Sequence, residues 1–447
     1  MALMFSISGL RGIAYKDLTY DDVCFYAQAF GKFLKAKSIV LGCDTRKSGD
    51  MIGAAVREGL NLIDCNVISL QIAPTPTVIF MVRKLKADGG VVVTASHNPE
   101  EWNGLKFISN QAEFLNEKEF SSFSKFVEHY KPISHHEKYF PFYTGGRCLI
   151  RRDPLKEHIK KIIASLKLRN LGLKIGIDAV NGAGSKALPR LLEEVGCKVY
   201  RLNCEFKSTF PRSPEPTPEN IGDLCQIVKE KGLDLGFALD PDGDRLSIVD
   251  ENGVPISEEN TLVLATDYIL SKKKGNIVTN YSTTALMDFI AKKYNCKLYR
   301  TKVGEANVVE KMKKVCAVIG GEGNGGVIYP TINITRDALT GAAIILKLLS
   351  ERNQTASEII SSYPKYHMIK RKIKLSKAQF EKNKVEITKI FKGKTNLTDG
   401  IQIRAKDYWL HIRPSKTEPI IRIIGEALDK NKINKYVKKA ETILRQN

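Results

Sequence analysis

The 447-residue chain contains no run of about 18 consecutive apolar residues, so no segment is expected to span a membrane. Its first residues, Met1 to Ser8, carry neither a charged leader nor a long apolar core. No secretory signal is expected, and the expected compartment is the cytoplasm. None of the nine cysteines stands in a C-x-x-C pair, and the count is odd. Reduced thiols are therefore expected, rather than a disulfide framework or a thiolate metal site. The P-loop Lys-Ser/Thr is missing, as are aromatic RNA-binding and zinc-ligand motifs. Acidic residues are scarce towards the end: from Tyr366 onward there are 21 Lys and Arg against 8 Asp and Glu, within a net charge of +21. Such an excess fits nucleic acid, an anionic small substrate or a lysine-rich solvated surface. The missing motifs weigh against nucleic acid.

What the chain does have is a repeat. One unit opens with the apolar run Ser38 to Gly42, continues through a helical stretch from about Asp50 to Ile63, and returns in a second strand, Cys65 to Leu70. A second unit opens at Lys174 to Asp178 and returns in Cys197 to Tyr200. A third opens at Asn276 to Thr279 and returns in Cys296 to Tyr299, so that a cysteine opens each returning strand. A strand-helix-strand rhythm implies mostly parallel pairing. Each unit then leads through another helix to a third strand and a loop with its own chemistry. Ligands of α/β sheets gather beyond the carboxyl ends of strands. Three such ends facing one cleft would make a composite site.

The first loop is Thr94-Ala95-Ser96-His97-Asn98-Pro99, after the apolar run Val91 to Val93. It offers a hydroxyl beside an imidazole, suited to a nucleophile or a phosphate carrier, or to plain turn chemistry. In the second loop Asp240, Asp242 and Asp244 fall within five residues. Carboxylates at that density repel one another unless a cation neutralises them, and oxygen donors suit Mg²⁺ or Ca²⁺; a surface acidic turn is the alternative. The apolar strand from Leu246 excludes an EF-hand. The third loop sets Glu322 and Asn324 among glycines, which suits hydrogen bonds to sugar hydroxyls or a flexible turn. The tail reads as an α+β module with antiparallel character. Its loop Arg413-Pro414-Ser415-Lys416-Thr417, with Arg422 downstream, has the cations and hydroxyls of a phosphate cradle, with a solvated basic turn as the alternative. Arg11, between glycines, and Lys106 are further cations, either near Ser96 or ordinary turn residues.

Taken in order, Thr94–Pro99, Asp240–Arg245, Gly321–Gly325 and Arg413–Pro419, with Arg11 and the stretch Asp44 to Gly49, resemble the α-D-phosphohexomutase superfamily. The resemblance covers essentially the whole chain. It implies four domains around a central cleft: three related βαβ-type domains with mixed, largely parallel sheets, and a C-terminal α+β domain. The expected boundaries are 1–147, 148–253, 254–364 and 365–447. It also implies a phosphoserine at Ser96, with Mg²⁺ held by Asp240, Asp242, Asp244 and the Ser96 phosphate. His97, Lys106, Arg11 and Arg245 would surround the transferring phosphoryl group. Glu322 and Asn324 would read the sugar, and Arg413, Ser415, Lys416, Thr417 and Arg422 would hold the other phosphate.

The implied activity interconverts hexose or hexosamine 6-phosphate and 1-phosphate, with a hexose 1,6-bisphosphate as activator and intermediate. Small-molecule sugar phosphates are the expected partners, and a monomer or homodimer the expected assembly. Two positions depart from the family pattern: Asn324 stands where Ser is usual, and Lys416 where Gly or Asn is usual. Glu305 falls at a variable place in the specificity loop. A carboxylate there is expected to face a protonated amine, which leans the reading to phosphoglucosamine over phosphomannose or phosphoglucose. A phosphatase using the Asp240–Asp244 cluster is the competing enzyme class.

Overall fold

The computed structural model describes residues 3–133, 146–415 and 420–445. The three repeats fold as three copies of one mixed sheet. In the first, strand Ser38–Cys43 lies between Asn66–Ile72 and Gly89–Val93 and is parallel to both, and Trp102–Ile108 runs antiparallel beside Gly89–Val93. The second repeats this order with Lys174–Asp178 between Lys198–Leu202 and Leu235–Leu239, then Leu246–Val249 antiparallel. The third does so with Ile277–Asn280, Leu298–Thr301, Ile319–Glu322 and Gly326–Ile328. Strands Gly89–Val93 and Leu235–Leu239 are buried at every residue. Helices cover both faces, which is why these segments read as continuous apolar runs rather than alternating ones.

Two short strands lie across the expected boundaries. Cys148–Ile150 pairs with Asn66–Ile72 and so belongs to the first sheet. Pro255–Ile256 pairs with Leu246–Val249 and so belongs to the second. The three cysteines before the returning strands are free, as are the other six. Cys65 and Cys197 are buried, whereas Cys296 is half-buried.

The second and third domains share one apolar core, into which helix Ala338–Arg352 is sunk between helices Pro154–Leu166 and Glu259–Lys272. The first domain is riveted to this pair at His158. Its ring lies 3.1 Å from the Thr77 hydroxyl of the first domain and 2.9 Å from Asp337 of the third, and it stacks on Phe80. Thr77, His158 and Asp337 are all fully buried. Such a closed polar network fixes domain orientation because leaving any member unpaired is costly.

The C-terminal domain is a wholly antiparallel five-stranded sheet, ordered His367–Lys374, Ile420–Ala427, Tyr408–Pro414, Ile401–Arg404 and Lys394–Asn396. Ile373, Ile421, Ile423, Leu410, Ile412, Ile401 and Ile403 pack against helices Lys377–Ile390 and Lys430–Arg445. The opposite face is polar and turns towards the third domain. There Glu426 accepts from the Thr284 hydroxyl at 2.5 Å and the Ala285 amide at 2.6 Å, and Asp399 accepts from the Val303 amide at 2.7 Å. Among the described residues no helix is long and apolar enough to cross a membrane.

Candidate active site

The end of strand Gly89–Val93 turns sharply. Ser96 has φ of 51°, a left-handed conformation that non-glycine residues seldom adopt unless their surroundings impose it. Arg46 imposes it. Its side chain is fully buried, and its guanidinium donates to four carbonyls of the loop: Ser96 at 2.6 Å, Asn98 at 2.8 Å, Pro99 at 2.5 Å and Trp102 at 2.9 Å. Its Nε donates to Asp44, which also accepts from the Thr94 hydroxyl. The Thr94 hydroxyl in turn accepts from the Ser96 amide at 2.8 Å. The serine is thus 2% exposed, with its hydroxyl 3.2 Å from Asp240 Oδ2 and 3.4 Å from His97 Nδ1.

Asp240, Asp242 and Asp244 are fully buried, and their potential ligand oxygens lie within 4.8 Å of one another. Asp242 Oδ1 and Asp244 Oδ1 have no hydrogen-bond partner among the described residues. Three desolvated carboxylates at this spacing, with unsatisfied oxygens beside a serine hydroxyl, make an all-oxygen donor set. It fits a hard divalent cation. Burial first, and then Asp244 and Asp242, push Asp240 well above its ordinary value. Asp242 is held below its own, because Lys106 at 2.6 Å and the Thr75 hydroxyl outweigh the burial. Lys106 also reaches Asp244 at 3.3 Å.

Around this centre the charges are positive. Arg245 Nε stands 3.9 Å from Asp240 and 3.8 Å from Asp244, and its Nη1 donates to Glu215 at 2.9 Å. Arg11 donates to the Asn98 side chain at 2.7 Å and is pushed down to about 10, mainly by burial. Burial, then Arg245 and Arg11, push His97 well below its ordinary value, which favours its neutral imidazole.

The third repeat delivers Glu322 from the end of its strand. One oxygen accepts from Asn280 and from the Gly304 amide, each at 2.9 Å, and the other from Arg336 at 3.1 Å. A Cβ at Gly323 would stand 1.9 Å from the Glu259 carboxylate and would press it off Lys370 and the Thr284 amide. Arg336 binds Asp244 at 2.6 Å and Glu305 at 3.0 Å, so one guanidinium joins the Asp240–Asp244 loop, the Glu322 loop and Glu305.

Glu305 does not stand open for a sugar amine as its place in the sequence led us to expect. One oxygen accepts from the Thr335 hydroxyl at 2.5 Å and the Arg336 amide at 2.9 Å, and the other from Arg336 Nε. A buried guanidinium between three carboxylates needs that partner.

Most of these groups line one cleft of about 920 Å³, with the three carboxylates buried behind it. Ser96, His97, Lys106, Arg11 and Arg245 line it at one end, beside the carboxylates. Glu322, Asn324 and Glu305 line it from the third domain, and Arg413, Ser415 and Arg422 from the fourth. Lys416 and Thr417 lie outside the described residues. Arg46 was visible in the sequence only as part of the stretch Asp44 to Gly49, with no role. Arg336, Glu215, Lys370 and Lys372 carried no signal. Their importance comes from domain packing and strand register.

A phosphoryl-transfer enzyme is the class that this fold and site define: a serine at the rim of a buried three-carboxylate cluster, ringed by cations, with a second cationic end. Comparison with known proteins agrees. Residues 2–131, 154–253 and 257–366 match the α/β/α domains I, II and III of phosphoglucomutase/phosphomannomutase. A phosphoglucomutase/phosphomannomutase of Thermococcus kodakarensis is 35% identical, over 98% of this chain and 97% of its own. A phosphoglucosamine/phosphogalactosamine mutase of Sulfurisphaera tokodaii is 32% identical over 99% of each chain. The fold matches that of a phosphoglucomutase/phosphomannomutase family protein from Burkholderia thailandensis, with a TM-score of 0.85 at 24% identity, covering 99% of this chain and 98% of that one. The chain belongs to the phosphoglucomutase/phosphomannomutase family, and is an enzyme of the phosphohexomutase class.

Proposed function

We propose that the enzyme interconverts the 6- and 1-phosphates of a hexosamine, with Ser96 as the group that carries the phosphoryl between turnovers. One observation supports this most. The Ser96 hydroxyl sits in an imposed left-handed turn, 3.2 Å from a carboxylate of a cluster that still has unpartnered oxygens. In this reading Asp240, Asp242 and Asp244, with the Ser96 oxygen, hold a Mg²⁺ ion. When bound, the ion neutralises charge on the phosphoryl group being moved.

The chain's own residues do the rest. Arg46 presets the serine loop, so little reorganisation is left for the reaction. Arg11, Lys106 and Arg245 face the equatorial phosphoryl oxygens, where charge is spread during transfer. When Ser96 takes a phosphoryl back from the sugar bisphosphate, its O–P bond forms as the sugar O–P bond breaks. The serine hydroxyl gives up its proton as that bond forms and the departing sugar oxygen takes one up, with His97 Nδ1 standing 3.4 Å from the hydroxyl. Glu322 accepts from sugar hydroxyls, and Arg413, Ser415 and Arg422 hold the phosphate that stays. The bisphosphate must then turn round in the cleft so that the other phosphate meets Ser96.

The preference for a hexosamine is supported by what the relatives are called, since the Glu305 carboxylate is committed to Arg336. Coupled assays with the 6-phosphates of glucosamine, mannose and glucose, primed with a hexose 1,6-bisphosphate, test the reading. The glucosamine compound should give the highest kcat/KM, and Ser96→Ala should abolish mutase turnover. Turnover near normal in that variant would remove Ser96 from the role. Steady release of inorganic phosphate unaffected by it would point to a phosphatase instead.

A further inference from the structure

Residues 210–216 of the second domain touch both loops of the reacting end and belong to neither. Pro211, Pro214, Pro216 and Pro218 crowd this part of the chain. Proline fixes φ and has no N–H to give to a ladder. The segment is accordingly neither helix nor strand, and it is held in place by its side chains. Arg212 is the main anchor. Its Nε donates to Asp178 at 2.6 Å, its Nη2 to the Leu239 carbonyl at 2.7 Å and its Nη1 to the Ser213 carbonyl at 3.0 Å. Leu239 is the residue before Asp240. The Arg212 and Asp178 side chains are 9% and 1% exposed. A buried pair of this kind adds little net stability, because both ions are desolvated, so what it supplies is a fixed geometry.

Three residues later the segment grips the other end of the carboxylate loop. Glu215 accepts from Arg245, the residue after Asp244, at 2.9 Å, and the Ser247 hydroxyl donates to the Pro216 carbonyl. The middle of that loop is held by backbone amides, Ala183 on the Pro241 carbonyl at 2.7 Å and Thr75 on the Asp242 carbonyl at 2.9 Å. Towards the first domain, the Arg46 guanidinium carbon lies 5.0 Å from the centre of the Phe210 ring, and the Phe210 amide is 3.4 Å from the Glu100 carboxylate. Arg46 and Arg212 are built alike. Each binds a carboxylate at the end of a central strand, Asp44 or Asp178, and donates to carbonyls at the end of a neighbouring strand. Arg46 follows its carboxylate by two residues, whereas Arg212 returns to Asp178 across 34.

We propose that residues 210–216 form a brace that positions the two reacting loops on each other: Arg212 and Glu215 fix the ends of the carboxylate loop, and Phe210 seats Arg46 and through it Ser96. The brace thereby sets the distance between the serine hydroxyl and the cation-binding oxygens. The proposal rests on the reading in which Asp240, Asp242 and Asp244 hold Mg²⁺ and Ser96 carries the phosphoryl group. Arg212 and Phe210 are positioning residues in it, acting through Leu239 and Arg46 rather than on the substrate. Because they serve different loops, their loss should show in different measurements.

The test compares full-length Arg212→Lys, Phe210→Ala, Phe210→Tyr and Lys207→Met with the wild type. Mg²⁺ binding is measured by calorimetry without substrate, phosphoryl uptake by Ser96 from glucose 1,6-bisphosphate by intact mass over time, and turnover of glucosamine 6-phosphate by steady-state kinetics. Arg212→Lys keeps the charge but loses the fork that spans Asp178 and the Leu239 carbonyl. It should weaken Mg²⁺ binding about tenfold and lower kcat similarly, as loss of a group that orients metal ligands does, with KM within about twofold. Phe210→Ala should leave Mg²⁺ binding at the wild-type value and slow phosphoryl uptake about tenfold, since only the serine loop is loosened. Phe210→Tyr should restore the rate, and Lys207→Met, an exposed change just outside the brace, should alter nothing. The proposal is overturned if Arg212→Lys binds Mg²⁺ as the wild type does, or if Phe210→Ala takes up phosphoryl at the wild-type rate. Wild-type behaviour in both variants, beside a wild type that binds Mg²⁺ and is phosphorylated on Ser96, removes the brace alone. A wild type that neither binds Mg²⁺ nor takes up phosphoryl on Ser96 removes the underlying reading, and the brace with it.

Discussion

The two ends of the cleft are built on opposite principles. At one end three carboxylates, a strained serine and Arg46 are sealed at the junction of three domains, each side chain held by several fixed partners. At the other, Arg413, Arg422 and Lys372 stand on one face of an antiparallel sheet, and Lys372 is exposed. The reacting end needs charges whose positions are set beforehand in a water-poor site, where they act most strongly. In the proposed function the far end grips and releases a phosphate, and cations that are half-buried or exposed on one sheet face suit that. The first end should therefore govern kcat and the second KM.

Removing Arg46 should break that division most clearly. In Arg46→Ala four loop carbonyls lose their common donor, and Ser96 is no longer pressed into its left-handed turn. A displacement of about 1 Å at the reacting atom lowers kcat by roughly 10²-fold, with KM changed far less. Steady-state kinetics on the folded variant checks this, and an unchanged kcat would contradict it. Arg413→Ala at the other end should do the reverse, raising KM about tenfold or more with a smaller fall in kcat. An equal loss in both parameters would mean that the far end takes part in the chemical step.

A smaller effect concerns how the fourth domain is held. His411 is buried with Nε2 2.7 Å from the Asp399 carbonyl and Nδ1 2.7 Å from the Ser282 hydroxyl. A carbonyl only accepts, so the neutral ring carries its proton on Nε2 and accepts from Ser282. Burial pushes His411 down to about 4 from 6.5. As the folded pKa is depressed, the unfolded chain takes up the proton first. The stability contributed above pH 6.5 is therefore lost as pH falls towards 4. Between about pH 7 and pH 5 the wild-type melting temperature should drop more than that of His411→Gln, by about 2 °C or more. Equal slopes would show that His411 does not carry the pH dependence.

Much of this contrast was legible in the sequence, and for a physical reason. Strand-end loops in a repeated α/β unit are local features: Ser96, Asp240 and Glu322 each follow an apolar run at the same place in the repeat. The fold puts Ser96 and Glu322 on one cleft, with Asp240 buried 3.2 Å behind the serine hydroxyl. What could not be read depends on distant pairings. Arg336 lies far along the chain from Asp244 and meets it only because helix Ala338–Arg352 is buried between the second and third domains. Lys372 joins Arg422 only through strand register, in a segment whose alternating cations resemble any solvated edge. Glu305 misled for the same reason, because its partner Arg336 was invisible. The short strands Cys148–Ile150 and Pro255–Ile256 sit in linker-like sequence, and only their pairing assigns them to a sheet.

The central claim is that Ser96 carries the phosphoryl group. Intact-mass and peptide analysis of the protein after incubation with a hexose 1,6-bisphosphate and Mg²⁺, with Ser96→Ala alongside, tests it directly. The account predicts one added phosphoryl group per chain, located on Ser96 and absent from the variant. A phosphoryl group elsewhere, or active enzyme that never carries one on Ser96, would contradict it.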